Sequence, residues 1–142
     1  FRQTMFAEFE AFAHGQVEKG IPITKDSLCN EYLNLNKKYF GKSMISDPEI
    51  AYEWARIPHF YNAFYVYKYA TGITSAITIA ERIYNEGESA VKDYFKFLSS
   101  GGSDCPVELL KLAGVDLTSR KPFEAAMNSF ADALKQFKAL AD

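Results

Sequence analysis

Apolar and aromatic positions recur every three or four residues along almost the whole chain, and no period-two alternation runs long enough for a sheet. The pattern predicts an all-α chain, a helical bundle of five to seven helices. Phe1, Met5, Phe9 and Phe12 mark one face of a first helix, with Phe6 and Ala13 beside it and no capping residue before it. On that helix Glu8 and Glu10 fall on opposite sides and read as solvated; His14, near its end, reads as structural. Gly20-Ile-Pro-Ile interrupts the chain. Thr24 then caps a second helix with Asp26 in its first turn, running to about Tyr39 with Leu28, Tyr32, Leu35 and Tyr39 inward and Gly41 as the stop. Ser46-Asp47-Pro48 restarts a short helix whose apolar side is Ile50, Trp54 and Ile57.

A long central helix is predicted over 60–84. In it Gly72, Ala76 and Ala80 form a small-residue face that lets a neighbour approach closely, or else leaves the Gly72 backbone beside a bound peptide. A further helix over 88–99 turns Val91, Tyr94, Phe95 and Leu98 inward. Pro106 opens a short helix closed by Gly114, and Pro122 begins the last one. The stripe Phe123, Met127, Phe130, Leu134, Phe137 and Leu140 on that helix is core, or a docking face in a larger protein. The whole is expected to be a single helical domain, residues 1–142.

One run concentrates the candidate chemistry: Trp54-Ala-Arg-Ile-Pro-His-Phe-Tyr-Asn-Ala-Phe-Tyr-Val-Tyr-Lys-Tyr-Ala-Thr-Gly72. Pro58 fixes its own φ, lacks a donor and biases Ile57 toward an extended backbone, so a turn delivers His59 to the mouth of the next helix. Helical spacing puts Tyr61, Tyr65 and Lys68/Tyr69 on one face and Phe60, Phe64 and Tyr67 on a neighbouring one. A buried tyrosine needs a partner for its hydroxyl, and a core seldom offers several side by side. Tyr61 and Tyr65 therefore suggest hydroxyls facing a wet cavity with His59 at its edge. An aromatic core helix, with the histidine satisfied by a backbone carbonyl, answers to the same spacing. Arg56 is placed to pair with Glu53 or with a substrate carboxylate.

Composition narrows the classes. Apolar residues make up 48%, aromatics 15% and charged residues 24% of 142 residues, enough for a real core. A net charge of −2 without a basic stripe argues against nucleic acid as a partner. No apolar run approaches the roughly 18–20 residues of a membrane span, so no membrane partner is expected. Cys29 and Cys105 make neither a redox motif nor a zinc knuckle and read as thiols of a reducing compartment. Ser99-Ser-Gly-Gly-Ser-Asp104 lacks the Lys-Ser/Thr and the preceding strand of a phosphate loop.

Arg56-Ile-Pro-His-Phe-Tyr and Phe64-Tyr-Val-Tyr-Lys-Tyr-Ala-Thr-Gly72 closely resemble the C-terminal region of the oligoendopeptidase F family, cytoplasmic zinc metallopeptidases of the thimet-oligopeptidase-like group. Phe1-Arg-Gln-Thr-Met-Phe-Ala-Glu-Phe-Glu10, Tyr39-Phe-Gly41, Phe97-Leu-Ser-Ser-Gly-Gly-Ser103 and Ala113-Gly-Val-Asp-Leu117 extend the likeness over essentially the whole chain. The resemblance implies a C-terminal part of a peptidase catalytic domain, a cytoplasmic location and oligopeptide substrates. No His-Glu-x-x-His occurs, so zinc is expected only in the full-length enzyme, with ligands outside this chain and no metal ligand within it. The chain alone is then expected to be inactive, its partner being the missing N-terminal part of the same peptidase. Self-association through the face that part would cover is left open. By the family motif, Tyr65 and His59 are the catalytic candidates, Tyr65 as oxyanion donor and His59 holding the peptide backbone. Tyr61 and Tyr67 join His59 in substrate binding, with Tyr67 the alternative to Tyr65 as donor. A non-enzymatic helical peptide-binding module and a purely structural bundle are the competing readings.

Overall fold

A computed structural model describes residues 1–141. Among them are six α-helices, two 3₁₀ segments and no strand, as the periodicity predicts. The helices are α1 (Arg2–Glu18), α2 (Lys25–Phe40), α3 (Tyr67–Glu86), α4 (Glu88–Ser99), α5 (Pro106–Leu112) and α6 (Lys121–Ala141); the 3₁₀ segments are Pro48–Arg56 and Pro58–Tyr61. Contacts gather into two compact units, Phe1–Ala70 and the residues from Thr71 onward.

The first unit has an aromatic core. Met5, Phe6 and Phe9 of α1 meet Tyr32 and Leu35 of α2, closed by Ile57 and Val66, with Trp54 and Phe60 partly buried against them. Phe9 sits edge-on to Tyr32 at 5.2 Å and Phe6 edge-on to Phe60 at 5.5 Å, the arrangement that ring quadrupoles favour. α2 begins and ends where its caps dictate. The Thr24 hydroxyl accepts from the Ser27 backbone at 3.1 Å while Ser27 Oγ accepts from the Thr24 N–H at 3.0 Å. Gly41, at φ 75°, takes the conformation that stops the helix. The segment after Pro48 is 3₁₀ rather than α, and its Ala51 and Glu53 are buried.

Two expectations about α1 and the central run need correction. Glu10 is buried, not solvated, because its carboxylate takes up a backbone N–H from far along the chain. The helix expected over 60–84 is broken: a 3₁₀ turn covers Pro58–Tyr61 and the α-helix starts only at Tyr67. The break is at Phe64, which has φ 57°, a left-handed conformation incompatible with continuing a helix.

α3, whose residues from Thr71 on belong to the second unit, is among the longest helices, as expected, but its small-residue face is not where neighbours approach. Gly72, Ala76 and Ala80 are exposed, and the buried residues are Thr74 and Ser75; Ser75 Oγ donates back to Thr71 O, and Thr78 Oγ1 donates to Thr74 O. α4 runs over the residues predicted, yet Phe95 and Leu98 are exposed and Ala90 is its buried residue. Arg82 organises this unit. Its guanidinium donates to Ala113 O at 2.6 Å and to Glu86 at 2.7 Å, and pairs with Asp93. It passes so close to Gly114, at φ 78°, that a side chain there would collide with it. The α6 stripe of Phe123, Met127, Phe130, Leu134, Phe137 and Leu140 is exposed along its length, with only Pro122 and Ala126 of the helix buried. No helix of the described residues is long and apolar enough to cross a membrane. Both cysteines are free thiols, Cys29 buried and Cys105 exposed.

Candidate functional site

All the sequence-predicted site residues lie in the first unit: His59 and Tyr61 on the second 3₁₀ segment, Tyr65 on the turn that follows it, and Tyr67 at the start of α3. Ile57 is extended, at φ −82° and ψ 106°, as the following proline demands, and its side chain is buried. Phe60 packs into the ring cluster with Phe6 and Phe9, and Val66 is fully buried. The residues between these two anchors project outward. The turn itself is held from α1: Phe64 N–H donates to Glu10 Oε1 at 2.7 Å, and the His14 ring lies 4.5 Å from the Phe64 ring.

This geometry brings His59, Tyr65 and Tyr69 together. The three rings stand 5.6–6.0 Å apart. Tyr69 Oη donates to Tyr65 Oη at 3.3 Å and lies 3.5 Å from His59 Nε2. The hydrogen bond with Tyr65 is the main cause that raises the Tyr69 hydroxyl above its ordinary range, with desolvation adding to it. Tyr69 is therefore a neutral donor at physiological pH. When Nε2 carries the imidazole proton, the bonds run His59 to Tyr69 to Tyr65, and the Tyr65 proton is left for an acceptor outside the trio. The Lys68 ammonium stands 5.4 Å from the Tyr65 ring centre.

Tyr65 and Tyr69 are 39% and 43% exposed, so both rings are partly open to solvent. Tyr61 is 82% exposed, and Tyr67 is half exposed on the first turn of α3. Sequence spacing placed Tyr69 on the Tyr61/Tyr65 face without giving it a role. The signal for it was that same spacing, i+4 from Tyr65 and within reach of a histidine that Pro58 turns toward it.

A cleft of about 520 Å³ in this unit is lined by other residues, among them Arg2, Asn36, Ser46, Glu53 and Arg56. At its floor Glu53 Oε1 accepts from Arg2 at 2.7 Å and from Arg56, while Oε2 accepts from the Tyr32 hydroxyl at 2.7 Å. Burial alone pushes the Glu53 carboxyl up, but these donors and the two guanidinium charges outweigh it and hold the group below the usual carboxylate range. The expected Arg56–Glu53 pair is thus formed, on a carboxylate that is itself buried.

Among the described residues no group of three or more His, Cys, Asp or Glu stands close enough to hold a metal ion. The donor set of the described residues does not fit zinc, whose protein sites need at least three such ligands.

A sequence model of Peptidase family M3 matches residues 1–129. Oligopeptidase PepF of Bacillus subtilis (strain 168) is 50% identical over 140 residues, which cover 99% of this chain and 21% of that protein. An oligoendopeptidase F homolog of Borreliella burgdorferi is 47% identical over 138 residues, 97% of this chain and 23% of its own length. The crystal structure of oligoendopeptidase-F from Enterococcus faecium superposes with a TM-score of 0.94 at 46% identity, covering all of this chain and 28% of that one. The fold is a helical segment of the kind found within a larger peptidase. The chain belongs to Peptidase family M3. It spans about a fifth to a quarter of the length of the curated relatives it matches.

Proposed function

We propose that this chain is the part of a zinc metalloendopeptidase that meets the substrate opposite the metal, in an enzyme that hydrolyses oligopeptides in the cytoplasm. The observation that carries this is the His59–Tyr65–Tyr69 trio: three hydrogen-bonding groups, partly exposed, about a turn braced from α1. Tyr65 donates to the oxyanion that develops at the scissile carbonyl, and Tyr69 orients it. His59 and the exposed Tyr61 and Tyr67 hold the peptide backbone. A phenol suits the first task because it donates a proton without changing its charge at neutral pH. The residues present do not fit zinc, so its ligands belong to the remainder of the peptidase. That remainder is the partner this chain requires, and without it the chain is inactive.

Tyr65→Phe, in a peptidase carrying this sequence, tests the assignment. Removing a donor used only in the transition state lowers kcat by roughly 10²–10³ with little change in KM. Wild-type kinetics in that variant would make Tyr65 a structural residue and leave the trio without its proposed role.

A further inference from the structure

We infer that Glu10 is a positioning residue: from α1 it fixes the Phe64 turn, and through it the direction in which Tyr65 presents its hydroxyl. The inference rests on the role proposed above for Tyr65.

Glu10 occupies a place on α1 where packing alone would favour an apolar side chain; it is only 7% exposed. A buried carboxylate persists only when it is bonded, and this one accepts the backbone N–H of Phe64 at 2.7 Å, 54 residues away. That N–H belongs to the non-glycine residue of the described chain with positive φ. A bulky residue leaves the left-handed region unless its surroundings hold it there, and such residues cluster at functional sites. His14, one helical turn beyond Glu10, supplies the second hold by stacking on the Phe64 ring at 4.5 Å. One helix face thus grips Phe64 by backbone and by side chain.

Tyr65 follows immediately and is itself followed by Val66, which is fully buried. It is therefore fixed on both sides, by the gripped Phe64 and by the sunken Val66. Let Phe64 relax to a negative φ, and the peptide plane entering Tyr65 rotates. The ring then swings away from His59 and Tyr69. The short bond of Glu10 opposes that rotation, beside the turn bond that Tyr65 N–H donates to Asn62 O at 3.2 Å.

The test uses the peptidase that carries this sequence, with an oligopeptide substrate, and reads hydrogen exchange at the Phe64 amide beside the kinetics. In the wild-type protein that amide should exchange at least ~100-fold more slowly than an unprotected loop amide. Glu10→Met keeps the volume but not the acceptor; it should unprotect Phe64 and lower kcat by roughly 10–100-fold, with KM within about threefold. Glu10→Gln, which still offers an amide oxygen, should restore both. In a Tyr65→Phe background Glu10→Met should cost no more than about threefold further, because its effect passes through the hydroxyl already removed. Should Glu10→Met fail to fold, Phe64→Gly/Glu10→Met serves instead, since glycine takes the left-handed backbone unaided and should recover a rate near that of Phe64→Gly alone. Fast exchange of Phe64 in the wild-type protein would overturn the inference, as would fully multiplicative losses in the double variant. A Tyr65→Phe enzyme with wild-type kinetics overturns the site reading instead, and a slow Phe64 amide would survive that result.

Discussion

Tyrosine hydroxyls in two regions of the first unit meet opposite fates. In the α1–α2 core, Tyr32 and Tyr39 each donate to a carboxylate, at 2.7 Å to Glu53 and 2.9 Å to Glu8. On the turn leading into α3, Tyr65 and Tyr69 meet each other and His59 at 3.3 and 3.5 Å. A hydroxyl committed to a carboxylate is spent on the fold. One that meets only other phenols and an imidazole at long range still has a proton or a lone pair to offer a ligand. The same residue type is structural in one place and available in the other, and the partner makes the difference.

Breaking the core side of that contrast should have the largest effect on stability. Glu53→Ala removes the acceptor for Tyr32, Arg2 and Arg56 together and leaves a buried hydroxyl without a partner. A loss of about 3 kcal/mol is expected from urea unfolding, near the lower end for a dismantled buried pair because both arginines reach solvent. Tyr32→Phe takes away a single bond to a charged group and should cost about 1.5–2 kcal/mol. The same change at Tyr69 should leave the urea midpoint nearly unmoved, as surface substitutions do. Equal losses at Tyr32 and Tyr69 would erase the distinction.

The pH dependence of melting sharpens it further. Glu53 and Glu8 have lowered carboxyls, Glu53 by donors that outweigh its burial and Glu8 chiefly by its hydrogen bond from Lys38. A depressed folded pKa stabilises above the ordinary value of 4.5 and is lost as pH falls through the folded one. Tyr39 runs the other way: burial, then its bond to Glu8, pushes it up to about 12 from 10.0. Its contribution is complete below pH 10 and is lost as pH rises toward about 12. Tyr32 is raised by the same kinds of cause, burial first and Glu53 second. Melting temperature should therefore fall at both ends, and Tyr39→Phe should flatten the alkaline fall while leaving most of the acid one.

What could be read from the sequence, and what could not, follows the range of the interactions. The cap at Thr24, the stop at Gly41 and the bounds of α4 and α5 depend on residues a few positions apart, and they stand as expected. The helix over 60–84 failed at Phe64, because the bond that holds the break comes from Glu10, on another helix. The local turn bond, from Tyr65 N–H to Asn62 O at 3.2 Å, encloses Ala63 and Phe64, and no glycine or proline marks it in the sequence. Glu10 was misread for the same reason: on α1 alone it is an acidic residue between aromatics, and only the distant N–H gives it a buried role. Gly72, Ala76 and Ala80 have the right spacing for a close approach, but spacing does not supply a neighbour. Helical spacing grouped Tyr65 with Tyr61, yet Tyr65 lies outside any helix and meets His59 and Tyr69 instead. The third member, Tyr69, needed the turn itself.

The smallest expected effect belongs to Tyr61, and it divides the exposed tyrosine from the trio. At 82% exposure its ring contributes little to the core, so neither Tyr61→Phe nor Tyr61→Ala should change stability by more than about 0.5 kcal/mol. If Tyr61 holds the peptide in ground and transition states alike, losing it raises KM and leaves kcat nearly untouched, since uniform binding does not lower the chemical barrier. One exposed hydrogen bond is worth about 0.5–1.5 kcal/mol, which corresponds to a KM increase of roughly 2–10-fold for Tyr61→Phe. Tyr61→Ala removes the ring as well and should raise KM further. Steady-state kinetics on both variants, in a peptidase carrying this sequence, separate the outcomes. A fall in kcat at constant KM would move Tyr61 into the same role as Tyr65, and unchanged kinetics would remove it from the substrate's path.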